Sequence, residues 1–182
     1  MGVSGRGIRP AERLVALANA VRADPALPRE ALAALLVRHG EAPADVAAGA
    51  FTEDDAAALR AAVARLTAVL TETDPDRAAL AVNDLLVGCG ARPRLSRHDG
   101  HAWHLHVDRG DDASWAEWLT ASSALALAQI ISESGGPAWG ECAASGCARL
   151  FLGTGPGSAR RFCSPACATR ERVAAHRRRA RG

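Results

Sequence analysis

Four of the five cysteines in this 182-residue chain lie close together near its end. They form two pairs, Cys142/Cys147 and Cys163/Cys167, with spacings C-x4-C and C-x3-C and fifteen residues between the pairs. Two thiolates from each of two tight turns, brought together by a spacer of hairpin length, are the ligand set of a tetrahedral zinc site. Since all four ligands would come from the protein, the site would be closed. The sequence therefore predicts one structural Zn²⁺ ion and no catalytic metal.

Free thiols and two disulfides are the alternatives to a metal site. The first ten residues are rich in Gly and Arg and lack the apolar run of a secretory signal. We therefore expect a cytoplasmic, reducing location, where disulfides are rare. His176 lies too far along the next predicted helix to join the same metal, and we interpret it as a solvated side chain. Cys89, the fifth cysteine, is predicted to be a small buried residue.

The residues around the cysteines predict a small ββα unit. Gly146, directly before Cys147, suits a sharp turn with positive φ. A short strand is expected at residues 149–152 and a return strand at 160–162, with a Gly-rich turn between them. Ser164 as cap and Pro165 in the first position then predict a helix start, which places Cys163 and Cys167 at the positive end of the helix dipole. The expected result is treble-clef-like, with Phe151 and Phe162 as its apolar floor.

The charge of the chain is strongly divided. From Cys142 onward there are nine arginines and one acid, Glu171, which gives +8, or +6 with four thiolates and one Zn²⁺; the preceding residues hold 13 arginines and 19 acids, which gives −6. This asymmetry predicts a polyanionic partner, and we expect DNA, although charge alone does not exclude RNA. A solvated basic tail is the alternative. Residues expected to contact nucleic acid are Arg160 and Arg161 from the hairpin and Arg170, Arg177, Arg178, Arg179 and Arg181 from the helix.

The C-terminal stretch resembles the CGNR-type zinc finger of bacterial transcription regulators. The matching features are the C-x4-C knuckle, the strand with Phe151, the Arg-Arg-aromatic-Cys-Ser run, and C-x-x-R followed by a basic helix. The Cys-Gly-Asn-Arg tetrapeptide of that family reads Cys167-Ala168-Thr169-Arg170 here, and Gly153-Thr154 stands where the family often has an acid. The resemblance implies a zinc-binding module that contacts DNA.

The residues before the finger predict a mainly helical domain. Met1 to Arg9 is expected to be a flexible leader. Apolar spacing and capping residues predict helices that begin at Pro10, Pro28, Thr52 (a capping box), Asp74, and Asp112 or Ser114. The helix after Asp74 carries Leu80, Leu85, Leu86 and Val87, and the last helix carries Trp115 and Trp118, which we interpret as core residues. A Ser-Gly-Gly-Pro run at 134–137 marks the domain boundary.

A two-stranded hairpin is predicted between the last two of these helices, at residues 92–97 and 101–107, with its turn at Asp99-Gly100. His104 and His106 share one face of the second strand. They could hold a second metal or, with Arg92 or Arg94, an anion, but two ligands alone do not make a site. The preferred interpretation is an exposed polar strand face.

The order of these elements resembles the ABATE domain that precedes CGNR fingers. The first helix with Asn19, the long helix after Thr52, the hairpin and the tryptophan-bearing helix carry the resemblance. The fold expectation is mainly α with a small β-hairpin (α+β): a leader at 1–9, a helical ABATE-like domain at 10–136 and a treble-clef-like ββα finger at 137–182.

The resemblance implies a stress-linked transcription regulator, and the sequence contains no catalytic motif, so we expect a DNA-binding protein and not an enzyme. The alternative function is a sensor of a small molecule, or a protein-interaction module, with the finger as a structural clasp. An effector remains unidentified and a homo-oligomer is compatible with the sequence. No apolar run approaches the roughly 20 residues needed to cross a membrane.

Overall fold

The computed structural model describes residues 5–90, 92–96, 104–108, 113–153 and 160–180. It contains mostly helices, with two small antiparallel sheets, and so confirms the expected fold class of a helical domain followed by a cysteine-rich finger. The elements in chain order are α1 (Gly5–Ala23), α2 (Arg29–Arg38), α3 (Glu53–Thr71), α4 (Pro75–Gly88), β1 (Arg92–Ser96), β2 (His104–Asp108), α5 (Trp115–Ser134), β3 (Trp139–Glu141), β4 (Leu150–Leu152) and α6 (Pro165–Arg179).

Local capping chemistry fixes the starts of the long helices. At α3 the Thr52 hydroxyl accepts a hydrogen bond from the backbone N–H of Asp55, and the Asp55 carboxylate accepts one from the Thr52 N–H, at 3.2 and 2.9 Å. Ser114 and Glu117 form the same capping box at α5. The Asp74 carboxylate caps α4, whose first residue is Pro75. These caps satisfy N–H groups that have no partner within the helix, and they confirm the predicted helix starts.

The start of α1 differs from the expectation. A flexible leader was expected through Arg9, but α1 begins at Gly5 and contains Pro10 in its interior. Proline lacks an N–H group and therefore removes one hydrogen bond of the second helical turn. Only this one backbone hydrogen bond near the start of α1 is lost, so the helix continues past Pro10. The expectation of a leader over 1–9 is thus wrong for residues 5–9.

Helix α5 lies at the centre of the helical domain and packs against α1, α3 and α4. Leu119, Leu127 and Ile130 of α5 are fully buried. They belong to one apolar cluster with residues of α1 to α4, among them Leu14, Leu17, Leu32, Leu36, Leu59, Leu66, Leu70 and Val82. Each fully buried leucine contributes roughly 1.5–3 kcal/mol relative to an exposed one. This cluster is therefore the main source of stability of the domain.

Part of the core surface of α4 is formed by an alanine, and only some of the large apolar residues that the sequence places on this helix are buried. In α4 the buried residues are Ala78 and Val82, whereas the side chains of Leu80 and Val87 are 64% and 81% exposed. Leu85 and Leu86 are half-buried and pack against the core. Alanine lets helices approach closely. The buried face of α4 is therefore formed by Ala78 and Val82 with Leu85 and Leu86 beside them, and not by Leu80 or Val87.

The tryptophans of α5 form an aromatic cluster at the edge of the core. Trp115 meets Phe51 and Trp118 edge-to-face, with centroid distances of 5.4 and 5.3 Å. The centroid of the Trp118 ring also lies 3.9 Å from the guanidinium carbon of the buried Arg13. Arg13 donates hydrogen bonds to Glu41 and Ser122. Both tryptophans pack against the apolar cluster, as predicted, but they are half-buried and lie at its edge.

The predicted hairpin forms from β1 and β2, which pair antiparallel. The register places Ser96 opposite His104 and Arg94 opposite His106. The expected turn at Asp99-Gly100 and the side chains of Arg94, His104 and His106 lie outside the described part of the structure. The interpretation of His104 and His106 as an exposed polar strand face therefore stays a prediction, and so does the alternative of a metal or anion site.

Candidate metal centre and basic helix

The first cysteine pair lies on a turn that follows β3. The backbone N–H of Cys142 donates to the carbonyl of Arg149 at 2.9 Å, and the N–H of Cys147 donates to the carbonyl of Ala144 at 2.9 Å. Gly146 has a φ of 71°, the left-handed conformation that glycine adopts without steric cost. The predicted sharp turn before Cys147 is thus confirmed, and both thiols of the pair point to one side of it together with Cys163 and Cys167.

The strand partner of β4 is not the expected one. Leu150–Leu152 pairs with β3, residues Trp139–Glu141, which precede the first cysteine. The segment 160–162 was predicted as a return strand but is irregular. Its Arg161 carbonyl accepts a hydrogen bond from the Ala143 N–H. Pairing of β4 with β3 is favoured because Trp139 of β3 is buried against the helical domain. The return-strand prediction is therefore wrong.

The second cysteine pair lies at the start of α6. The Ser164 hydroxyl accepts a hydrogen bond from the Cys167 N–H at 3.2 Å, and Pro165 occupies the first helical position. Cys163 therefore precedes the helix and Cys167 lies in its first turn, as predicted. The partial positive charge of the helix N-terminus therefore lies beside this cysteine pair.

The four Sγ atoms form a compact group in which every pair lies within 4.8 Å. The Cys147–Cys163 and Cys163–Cys167 sulfurs are 3.8 and 3.7 Å apart. Bonds of about 2.3 Å to a tetrahedral zinc would separate two ligand sulfurs by about 3.8 Å. Cys142 and Cys167 are buried and the other two cysteines are half-buried. The group therefore fits a four-coordinate metal ion, and the four predicted ligands lie together.

The thiols of this group have unequal proton affinities. Burial raises the pKa of Cys142, but hydrogen bonds from the backbone N–H groups of Cys163 and Ala144 outweigh it and lower the pKa to about 7. Burial and the neighbouring thiols raise the pKa of Cys163 to about 12. The Arg170 guanidinium lies 3.6 Å from the Cys167 sulfur. Four adjacent sulfurs cannot all carry negative charge without a cation between them, which is the electrostatic role that a divalent metal fills.

A small aromatic floor supports the cysteines. Phe151 is buried, and Phe162 packs beside it and the four cysteines, as predicted. The Arg160 guanidinium donates to the carbonyls of Phe162 and Cys163 at 3.0 and 3.1 Å. Arg160 thus stabilises the backbone of the segment that precedes α6. Arg161 is exposed, and its guanidinium lies 5.8 Å from the Phe162 ring.

Helix α6 carries most of the basic charge of the finger. Its sequence has five arginines and one glutamate, a net charge of +4 with His176 neutral. Within the described helix only Cys167 is buried, and the residues from His176 to Ala180 are exposed. Glu171 accepts a hydrogen bond from the Ser145 N–H at 2.7 Å, which ties the helix to the first cysteine turn and lowers the pKa of Glu171. Arg170, Arg177, Arg178 and Arg179 are exposed, and Arg181 lies outside the described residues.

Family models match both parts of this architecture. The ABATE model, described as "Putative stress-induced transcription regulator", matches residues 9–134. The chain belongs to the ABATE family. The model of the CGNR zinc finger matches residues 139–180, which contain all four clustered cysteines. A search of curated proteins gave no match. Among the residues that the structure describes, no helix has the length and apolar character needed to cross a membrane.

The finger is docked on the ABATE domain through both of its strands. Trp139 of β3 is 5% exposed, and its indole N–H donates to the carbonyls of Val69 and Glu72 at the end of α3, at 3.1 and 3.2 Å. Leu150 of β4 is also buried in the core of the ABATE domain. The apolar core thus extends into the finger.

A polar clamp accompanies this apolar contact. The Asn19 side chain of α1 donates to the Leu150 carbonyl at 3.0 Å and accepts from the Leu150 N–H at 2.8 Å. Arg22 of the same helix pairs with Glu141 at 2.9 Å. The outer edge of β4 is therefore satisfied by one asparagine instead of a third strand. The two contacts fix the orientation of the finger relative to α1.

The sequence pointed to neither docking residue as such. Asn19 is one of the features that carry the resemblance to the ABATE domain, without a predicted role, and Trp139 belongs to no predicted motif. A tryptophan three residues before the first cysteine does indicate a docking contact. A side chain of this size does not fit into so small a finger core and must be buried against another part of the protein. The partner of Asn19 lies 131 residues away and has no local signal.

Proposed function

We propose that this ABATE family regulator binds DNA through its finger, with one structural Zn²⁺ ion held by Cys142, Cys147, Cys163 and Cys167. The observation that carries the proposal is the position of α6. Its first turn is anchored by Cys167, while its C-terminal half is exposed and basic. A helix held at one end by the metal site presents its arginines at a fixed angle from the ABATE domain.

The choice of zinc rests on the ligands. Four thiolates at tetrahedral spacing suit Zn²⁺, which has no redox chemistry and is commonly held by four cysteines. All four positions are filled by protein, so no position remains for water or substrate. This supports a structural metal and a protein that is not an enzyme. When bound, the ion supplies the charge that lets the four sulfurs lie together.

DNA contact is assigned to the exposed arginines of α6. Arg177, Arg178 and Arg179 are free of side-chain hydrogen bonds and ion pairs within the described residues and can each meet a phosphate. Arg170 is nearer to the metal site, beside Cys167. Arg161 can add a phosphate contact from the segment before α6, whereas Arg160 is engaged with backbone carbonyls. Phosphate contacts provide affinity and register but no base preference.

The test is fluorescence-polarisation binding of the zinc-loaded full chain to a random-sequence DNA duplex over a range of salt concentrations. Each phosphate contact contributes about −0.9 to the slope of log K against log salt. The variant with Arg177, Arg178 and Arg179 replaced by Ala should weaken binding and reduce the magnitude of the slope by about 2–3. Arg65→Ala, an exposed arginine on α3, is the matched control and should leave both unchanged.

Two results would count against the proposal. Unchanged affinity and slope in the triple variant would remove α6 as the contact surface. Tighter binding to an RNA duplex than to DNA of the same sequence would replace DNA as the partner.

A further inference from the structure

A groove runs along the boundary between the ABATE domain and the finger. Its volume is about 740 Å³, within the range of roughly 300–1,000 Å³ that is typical of small-molecule sites. Three segments form its walls: the C-terminal half of α1, the end of α2, and the finger residues that follow Cys147. Because both domains contribute, the groove exists only while the finger is docked.

The groove is basic. Arg22, Arg38, His39 and Arg149 line it, and none of its described lining residues is acidic. Arg22 is paired with Glu141, but within the described residues Arg38 and Arg149 form no ion pair and no side-chain hydrogen bond. The groove therefore combines at least two uncompensated positive charges, one from the ABATE domain and one from the finger.

The positive charge around the groove affects the pKa of His39. Burial and the charges of Arg13 and Arg38 lower the pKa of His39, and Glu12 only partly opposes them. The imidazole is therefore mostly neutral at neutral pH and can donate one N–H to a ligand. The C-terminal dipole of α2 works against an anion at this place, but it amounts to about half an elementary charge and is smaller than the full charges of two guanidinium groups.

The remaining lining of the groove is apolar and small. Ala16, Ala20 and Ala23 follow one side of α1, and Leu35 closes the side toward α2. An inorganic ion alone would leave these surfaces in contact with water. A ligand with a compact apolar group beside its negative charge would cover them and gain from their burial.

We propose that this groove binds a small organic anion, a phosphate or carboxylate attached to a compact apolar group, held between Arg38 of the ABATE domain and Arg149 of the finger. Such a ligand contacts both domains and therefore stabilises their docked arrangement. The site does not depend on DNA binding by α6, since Arg38 lies on the ABATE domain and neither arginine belongs to the proposed contact set Arg177–Arg179.

The test uses phenyl phosphate as probe and isothermal titration calorimetry of the zinc-loaded full chain without DNA. We expect saturable binding of one phenyl phosphate per chain, weaker binding of inorganic phosphate, and none of benzyl alcohol, which lacks the charge. Arg38→Glu and Arg149→Glu should each weaken binding by about tenfold or more, because each places a negative charge beside the anion. Arg65→Glu on α3 introduces the same charge change away from the groove and should stay within about twofold of the original.

The side chains of both groove arginines are exposed and form no ion pair or hydrogen bond within the described residues, so the variants should fold. Unchanged melting temperature and metal content verify this. No saturable binding of phenyl phosphate by the original protein would overturn the proposal, as would equal weakening by Arg65→Glu. A protein that ignores phenyl phosphate but loses DNA affinity on Arg38→Glu would assign the groove to the DNA surface instead, and the small-anion site would be rejected.

Discussion

The ABATE domain and the finger reach stability by different means. The ABATE domain buries a continuous set of leucines, valines and alanines from α1 to α5. The finger has a core of its own that consists of Phe151, Ala144, Phe162 and the four cysteines. A segment this short cannot bury enough apolar surface to offset its conformational entropy, and the proposed metal ion would supply the missing stability. With the proposed metal ion bound, one chain would combine a domain stabilised by packing with a module stabilised by coordination.

The boundary between the two regions is not a flexible linker. Trp139 and Leu150 belong to the finger by sequence and to the ABATE core by packing. The finger therefore has two sources of stability, which we call its two supports: the cysteine group that can hold a metal ion and the packing of its strands on the helical core. The predictions below separate these supports, beginning with the largest expected effect.

Removing a metal ligand should have the largest effect. Cys163→Ser should abolish stoichiometric zinc and unfold the segment from Cys142 to α6, since zinc binding provides about 10–16 kcal/mol to isolated fingers. Metal content per chain and the amide NMR spectrum are the measurements. Cys89→Ser is the matched control, because Cys89 is buried in α5's neighbourhood, away from the finger, and should retain the metal. An intact finger spectrum in Cys163→Ser would contradict the coordination account.

A core substitution should act on the other region. Leu66→Ala, at a fully buried position of α3, should lower the free energy of unfolding by about 2–5 kcal/mol, because it leaves a cavity. Zinc content of the folded chain should not change. Leu80→Ala on α4 is the control: its side chain is 64% exposed, and the change should stay within about 0.5 kcal/mol. Denaturant unfolding measures the free energy of unfolding of both variants. An equal loss of stability in the two variants would contradict the assigned core.

Breaking the clamp between the regions should have an intermediate effect. Asn19→Ala leaves the N–H and carbonyl of Leu150 without their partner and should cost about 1–3 kcal/mol. Hydrogen exchange of the Leu150 amide should accelerate, while zinc stays bound. Asn83→Ala, an exposed asparagine of α4, should change neither quantity appreciably. Protection of the Leu150 amide in Asn19→Ala would show that β4 is held by other contacts.

The smallest effect is expected from the ion pair across the boundary. The side chains of Arg22 and Glu141 are 31% and 43% exposed, and such pairs contribute about 0–1 kcal/mol. A double-mutant cycle with Arg22→Ala and Glu141→Ala should give a coupling in this range that declines with added salt. A salt-independent coupling above about 2 kcal/mol would mean that the pair, and not Trp139 and Asn19, sets the docking.

Local signals in the sequence predicted much of this structure. Thr52 and Ser114 determine helix starts through hydrogen bonds to residues three positions away, and Gly146 and Gly135 adopt the left-handed turns that their positions indicate. The cysteine spacing likewise predicted that the four cysteines lie together, because the position of each pair is determined by its own local turn. These features depend on residues near each other in the chain and can therefore be read from it.

Features that depend on distant contacts could not be read in the same way. A three-residue strand such as β3 carries almost no pattern, and its pairing with β4 is decided by the burial of Trp139 against α3. In the alanine-rich helices the periodicity is weak, so Leu80 was grouped with the apolar residues although Ala78 makes the contact with the core. The basic groove combines Arg38 and Arg149, which no sequence spacing connects.

The most direct test of the two-support account is hydrogen–deuterium exchange of the full chain with and without a zinc chelator. Removal of zinc should eliminate protection in the cysteine turns and α6, while α3 and the centre of α5 keep theirs. Unchanged protection of α6 after metal removal, or equal loss throughout α3, α5 and α6, would contradict the account that coordination folds the finger and packing folds the ABATE domain.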